Sequence, residues 1–134
     1  VARPLPLFFP GRPVNSRARC LSFRLLLPPV QPKPVAKVLS FSSFGDALYG
    51  GTYYVPQSIY NALKAQAMLA FDMNGAPLTG VYGAPLRLRV ENQLGYKMVK
   101  WIEHIEFVES IELLGKGEGG SNEDDEYFDL LPNI

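Results

Sequence analysis

Residues 82–101 read Tyr82-Gly83-Ala84-Pro85-Leu86-Arg87-Leu88-Arg89-Val90-Glu91-Asn92-Gln93-Leu94-Gly95-Tyr96-Lys97-Met98-Val99-Lys100-Trp101, and the fold turns on them. Leu86, Leu88 and Val90 alternate with Arg87 and Arg89, the period of two that gives a strand one apolar and one cationic face. Gly95 breaks the chain, and apolar alternation resumes within 98–108 at Ile105 and Phe107. Arg87 projects from the strand while the glycine-led turn presents Lys97 and Lys100 beside backbone amides. A guanidinium fork next to ammonium groups and free amides is a competent anion cradle. Spacing alone equally fits alternate cations lining a solvated strand face, the plainer reading for surface arginines.

Working toward the N-terminus, residues 68–73 read as a strand ending at Asn74-Gly75, the strongest two-residue turn signal. Ser58 is placed to cap a helix whose apolar positions Ile59, Ala62, Leu63, Ala67 and Ala70 follow helical spacing. Ala47-Leu48-Tyr49, Gly50-Gly51 and Thr52-Tyr53-Tyr54-Val55 read as a hairpin, and Val38, Leu39 and Phe41 mark a short strand. Toward the C-terminus, a glycine-rich stretch at 115–120 leads into the acidic run 123–126, read as a solvated loop. Tyr127, Phe128, Leu130 and Leu131 are available to dock on a core. The fold class is a β-rich α+β domain over residues 35–134. Residues 1–34 hold eight of the twelve prolines, each removing a backbone donor, and read as an irregular arm.

At 134 residues the chain suits one domain, and 47% hydrophobic with 19% charged content excludes a wholly disordered tail. Thirteen basic and thirteen acidic residues cancel, so no overall field steers the molecule to nucleic acid. The charges are unevenly spread, since Arg3, Arg12, Arg17, Arg19, Arg24, Lys33 and Lys37 precede every acid. A single cysteine, Cys20, excludes an internal disulfide and a multi-cysteine zinc site. No apolar run approaches the roughly 20 residues of a membrane span, and the prolines among Leu5, Leu7, Phe8 and Phe9 spoil a signal peptide. The compartment, periplasm or cytoplasm, is not assigned. His104 reads as structural or exposed, Trp101 as core with its indole seeking one acceptor. Residues 117–120 lack the strand-to-helix setting of a dinucleotide fingerprint, and 123–126 lack the ligand pattern of a calcium loop.

Three motifs add a resemblance. Met73-Asn-Gly-Ala-Pro-Leu, Tyr82-Gly-Ala-Pro-Leu-Arg-Leu and Leu94-Gly-Tyr-Lys-Met-Val-Lys-Trp-Ile resemble, in order and spacing, consecutive motifs of the sulfite oxidase family's molybdopterin domain. Ala36-Lys-Val-Leu-Ser-Phe and Gly117-Glu-Gly-Gly-Ser-Asn-Glu-Asp resemble a bacterial branch of it. The likeness runs from about Pro32 to Ile134, about three quarters of the chain. It implies a β-rich mixed sheet of that domain's type, N-terminally truncated, and molybdopterin, the molybdenum cofactor, as the bound group. It also implies that Arg87 holds the pterin's phosphate, with Met98, Val99 and Lys100 supplying backbone and ammonium contacts and Lys97 assisting. Tyr82 stands where the family has a histidine or asparagine that bonds the cofactor. Ser43 stands where relatives place a polar cofactor contact.

The family's molybdenum-ligating cysteine would fall near Phe8, where there is none. Cys20 is the one thiol available as a metal ligand. Its neighbours do not resemble that ligand's surroundings, and an incidental free thiol is the plainer reading. Cationic neighbours would lower its pKa and favour the thiolate. The expectation is therefore an oxidoreductase transferring an oxygen atom at sulfur, of sulfite oxidase or sulfoxide reductase type, represented by an incomplete domain. A small sulfur oxyanion or sulfoxide would be the substrate and a haem protein the redox partner. The rivals are a non-catalytic fragment that binds an anion or a partner chain, and a subunit completed by another chain.

Overall fold

The computed structural model describes the backbone of residues 2–9 and 12–125 and the side chains of 17–124. Its strands are β1 (Ala2–Phe9), β2 (Arg12–Ser22), β3 (Val38–Asp46), β4 (Thr52–Ser58), β5 (Ala67–Met73), β6 (Ala76–Pro77), β7 (Arg87–Val90) and β8 (Ile102–Val108). Three short helices accompany them: α1 (Leu27–Val30), α2 (Ile59–Ala62) and α3 (Ser121–Asp125). The outcome is the sheet-rich α+β domain expected.

One sheet has five strands, with β1 beside β2, β2 beside β5, and β6 and β7 sharing the other edge of β5. The second has three, in the order β4-β3-β8. All pairings among the described residues are antiparallel. Leu69 and Leu88 pair directly, as do Ala67 and Val90, so the apolar alternation of β7 meets that of β5 on one face. These four join Leu39, Phe41 and Val55 of the other sheet in one core. Phe23 closes it edge-on against Phe41, with ring centroids 5.3 Å apart.

Several local expectations are corrected. The proline-rich stretch is not irregular: β2 runs through residues 12–22 and pairs with β5 from Ala18↔Met73 to Ser22↔Met68. Prolines are tolerated at strand ends and edges, and Leu21 supplies an apolar anchor beside Leu69. The helix after Ser58 stops at Ala62; Ser58 Oγ accepts from the Asn61 N–H as a cap should. Ala67 and Ala70 belong to β5 instead, where pairing with β2 and β7 outweighs alanine's helix preference. Residues 47–49 form the turn between β3 and β4, closed by Ala47 N–H donating to Gly51 O at 2.8 Å. Asn74 and Gly75 have φ of 55° and 85° and join β5 to β6, as a tight hairpin of this composition requires.

The cationic face of β7 is not solvated. Arg89 is buried and its guanidinium forks onto Glu91, with Nη2 2.6 Å and Nε 2.7 Å from Oε1. Nor is the described part of the acidic run a solvated loop: Glu123 is buried and α3 begins just before it. Tyr127, Phe128, Leu130, Leu131 and Glu126 lie outside the described residues. His104 is exposed, with Nε2 3.8 Å from Glu106. No helix among the described residues is long and apolar enough to cross a membrane.

Candidate functional site

The end of β3, the start of β7 and the loop from Gly95 to Trp101 enclose a cavity of about 340 Å³. The local backbone explains why these pieces meet. Leu88 N–H donates to Val99 O at 2.7 Å and Ile102 N–H to Leu86 O at 3.0 Å, so residues 99–102 run alongside β7. Phe44 N–H donates to Trp101 O at 2.9 Å, tying β3 to the same loop. A 3₁₀ turn at Gly95–Lys97 reverses the chain, and the Tyr53 hydroxyl donates to Tyr96 O at 2.9 Å from β4.

Five of the seven candidate cofactor residues line this cavity: Ser43, Arg87, Met98, Val99 and Lys100. Arg87 is half-buried; its Nη1 donates to Tyr82 O at 3.2 Å, while its Nε is buried with no partner. Burial, and then the neighbouring Arg89, pull its pKa below the usual arginine value. Lys100 Nζ donates to Val81 O at 3.0 Å and lies 5.4 Å from the centre of the Trp101 ring. Of the backbone donors, the Met98 N–H is committed to Gly95 O at 3.0 Å. No acceptor among the described residues takes the Val99 or Lys100 N–H. The Ser43 hydroxyl is committed twice, donating to Lys100 O at 2.9 Å and accepting from Gly45 N–H at 3.0 Å. It shapes the wall and keeps one lone pair at most for a ligand.

The other two candidates are not brought to the cavity. Lys97 is 1% exposed and turns the opposite way, pairing with the Glu123 carboxylate and donating to Gly119 O at 3.0 Å. Burial pushes its pKa down to about 8, which leaves the ammonium charged at neutral pH. The Tyr82 ring lies outside the cavity lining, and the residue contributes its carbonyl to Arg87.

Cys20 sits on β2 opposite Ala70, which in turn lies opposite Arg87, and is not part of the cavity lining. Its pKa is raised by burial despite the nearby Arg89, so the expectation of a lowered pKa is corrected. Among the described residues no group of three or more His, Cys, Asp or Glu side chains is placed to hold a metal ion.

Sequence reading named none of the other lining residues as part of a site: Gly45, Asp46, Tyr53, Gly95, Tyr96 and Trp101. Trp101 was expected in the core but is 38% exposed, with φ of 53°, and its indole N–H donates to Gly80 O. The search of the indole for one acceptor was legible; a left-handed tryptophan was not.

Comparison with known proteins gives the site its setting. Over 63 residues, 46% of this chain and 6% of the relative, the protein is 44% identical to a nitrate reductase [NADPH] of Mycosarcoma maydis. It is 36% identical over 63 residues to a putative protein-methionine-sulfoxide reductase subunit of Azospira oryzae, covering 43% of this chain and 24% of that one. It is 34% identical over 61 residues to sulfite oxidase of Arabidopsis thaliana, covering 44% and 16%. The chain thus spans a quarter or less of each relative's length. Among solved structures, the sulfane dehydrogenase SoxCD from Paracoccus pantotrophus superposes with a TM-score of 0.57 at 26% identity, covering 73% of this chain and 25% of that chain.

The donor set suits the phosphate portion of a pterin cofactor: a guanidinium with an unpartnered Nε, an ammonium and two uncommitted amides. It offers no thiolate for a metal, since Cys20 lies apart. The family model for the oxidoreductase molybdopterin binding domain matches residues 15–112, beginning within the proline-rich stretch, and the chain belongs to that family.

Proposed function

We propose that this chain serves a molybdenum-cofactor-dependent oxidoreductase that moves an oxygen atom at sulfur, and that its cavity holds the phosphate end of the pterin. The observation that carries this is the meeting of Arg87, Lys100 and the uncommitted Val99 and Lys100 amides around one cavity in a domain of the molybdopterin-binding family. Arg87 supplies a planar fork and Lys100 a point charge, the complementary ways of holding a phosphate. Ser43 and Met98 shape the wall, and Tyr82 acts at one remove through its carbonyl on Arg87, while Lys97 is spent on Glu123 away from the cavity. The cofactor would supply the redox and oxygen-transfer chemistry; the protein's share is binding, orientation and electrostatics. A sulfite-like oxyanion or a sulfoxide is the proposed substrate class and a haem protein the proposed electron partner.

A second reading is a non-catalytic domain that binds an anion or a partner chain. It is favoured by the position of Cys20, away from the cavity and with its pKa raised by burial.

Molybdenum and pterin content, measured on the chain purified from a host that makes the cofactor, separates the two. Pterin and metal in equal amounts, both lost in Arg87→Ala/Lys100→Ala, support the first reading. Neither metal nor pterin in the unaltered chain refutes it. Pterin without metal upholds the cavity as the phosphate site and removes the catalytic half of the first reading.

A further inference from the structure

The cations of this domain are neutralised unequally. Arg89 has Glu91 as counter-charge and Lys97 has Glu123. Arg87 and Lys100, the two that line the cavity, take part in no ion pair among the described residues. Both instead donate to carbonyls of one short turn. Lys100 Nζ donates to Val81 O at 3.0 Å, and Arg87 Nη1 to Tyr82 O at 3.2 Å. The Trp101 indole donates to Gly80 O, and the Trp101 N–H to Gly83 O at 3.2 Å. Four successive carbonyls therefore receive from Arg87, Lys100 and Trp101.

The turn is closed from within by Thr79 O, which accepts from the Tyr82, Gly83 and Ala84 N–H groups at 3.0–3.1 Å. It also packs directly on the stems of the two cations. Gly83 has φ of 105°, and a Cβ there would lie 2.9 Å from Lys100 Cγ and 3.2 Å from Arg87 Cβ. The Trp101 ring also lies against Gly45, where a Cβ would come 3.4 Å from it. Its own left-handed backbone is costly for a bulky residue and is sustained by these contacts.

A carboxylate in place of the turn would fix the same two heads and cancel their charge. A carbonyl fixes them by a dipole and leaves the charge intact, with further N–H groups unspent on both side chains. We propose that the turn at residues 80–83 is a neutral bracket that orients Arg87 and Lys100 without discharging them, and that Trp101 is the positioning residue that anchors it. This rests on the reading of the cavity as a phosphate site, and extends it to residues that act through Arg87 and Lys100.

The test uses the full chain and two readouts. The first is the acetylation rate of Lys100 relative to exposed Lys33, followed by mass spectrometry. The second is inorganic phosphate binding at low ionic strength, followed by calorimetry. Trp101→Phe keeps a ring and deletes the indole N–H, and Gly83→Ala places a methyl against Lys100; the latter serves if the former fails to fold. Loss of one anchoring hydrogen bond is expected to speed Lys100 labelling about three- to tenfold and to weaken phosphate binding by about the same factor. Unchanged Lys100 labelling in the folded variants overturns the bracket, as does faster labelling with phosphate affinity intact. If the unaltered chain binds no phosphate while Lys100 labelling rises in Trp101→Phe, the phosphate reading falls and the bracket stands.

Discussion

Replacing either member of the Lys97–Glu123 pair alone should cost far more than replacing both. The pair is buried to 1% exposure on each side chain, and among the described residues the Lys97 ammonium has only one other hydrogen-bond acceptor, Gly119 O at 3.0 Å. Glu123→Leu leaves that ammonium in the interior with neutral partners alone among the described residues, the Gly119 carbonyl and the Tyr96 ring centred 5.6 Å away. Lys97→Met leaves a carboxylate whose Oε2 already has no partner among the described residues. Breaking a buried pair by removing one ion costs about 3–5 kcal/mol, whereas exchanging both for apolar groups of similar volume is often neutral. A domain of this size has about 5–15 kcal/mol in hand, so each single variant sits near the edge of folding. The assay is urea unfolding of the parent, both single variants and the double variant, followed by circular dichroism. The expected coupling between the two sites is at least about 2 kcal/mol, with the double variant more stable than either single one. Additive losses would refute the argument, because they would mean that neither charge depends on the other.

Three further outcomes are expected. Asp124 is raised by partial burial but more strongly lowered by hydrogen bonds from the Tyr54 hydroxyl and the Lys116 and Glu118 N–H groups, so its folded pKa lies below 3.8. A depressed carboxyl contributes stability above its unfolded pKa and loses it as pH falls through the folded value, so Asp124→Asn should flatten the acid limb of stability below about pH 4, checked by thermal melts across pH. Cys20, with its thiol pushed up by burial, should react with a disulfide reagent at pH 8 more slowly than the same chain in denaturant; equal rates would contradict it. Phe41, fully buried and edge-on to Phe23, should cost about 3–5 kcal/mol as Phe41→Ala in equilibrium unfolding, and a cost under 1 kcal/mol would misplace the core.

Local signals were legible where the chain's neighbours in sequence are also its neighbours in space. Asn74-Gly75, the Ser58 cap and the alternation of Leu88 and Val90 all describe contacts within a few residues, and each is realised. Residues whose state depends on a distant partner were not legible. Glu123 reads as solvated until Lys97 is placed beside it, and Ala67 reads as helical until β2 and β7 flank its strand. The cavity followed the same division. Arg87 and Lys100 line it because strand and turn are adjacent, while Lys97, the last residue of the 3₁₀ turn, pairs with the distant Glu123. Trp101 was missed because its exposure follows from a backbone conformation that no residue pattern advertises.

The placement of β5 has a consequence for how the chain acquires its structure during synthesis. β5 can pair with β6 as soon as both have left the ribosome, since only Asn74 and Gly75 separate them. Its other edge belongs to β2, made dozens of residues earlier. Until β5 emerges, residues 18–22 present unsatisfied backbone groups on that edge, together with the apolar side chain of Leu21. This is a nonlocal contact of the kind that folds late and leaves a nascent chain open to wrong partners. Slowing translation between residues 22 and 67 would lengthen that interval, making yield of soluble protein sensitive to codon choice in the very stretch that builds β3 and β4.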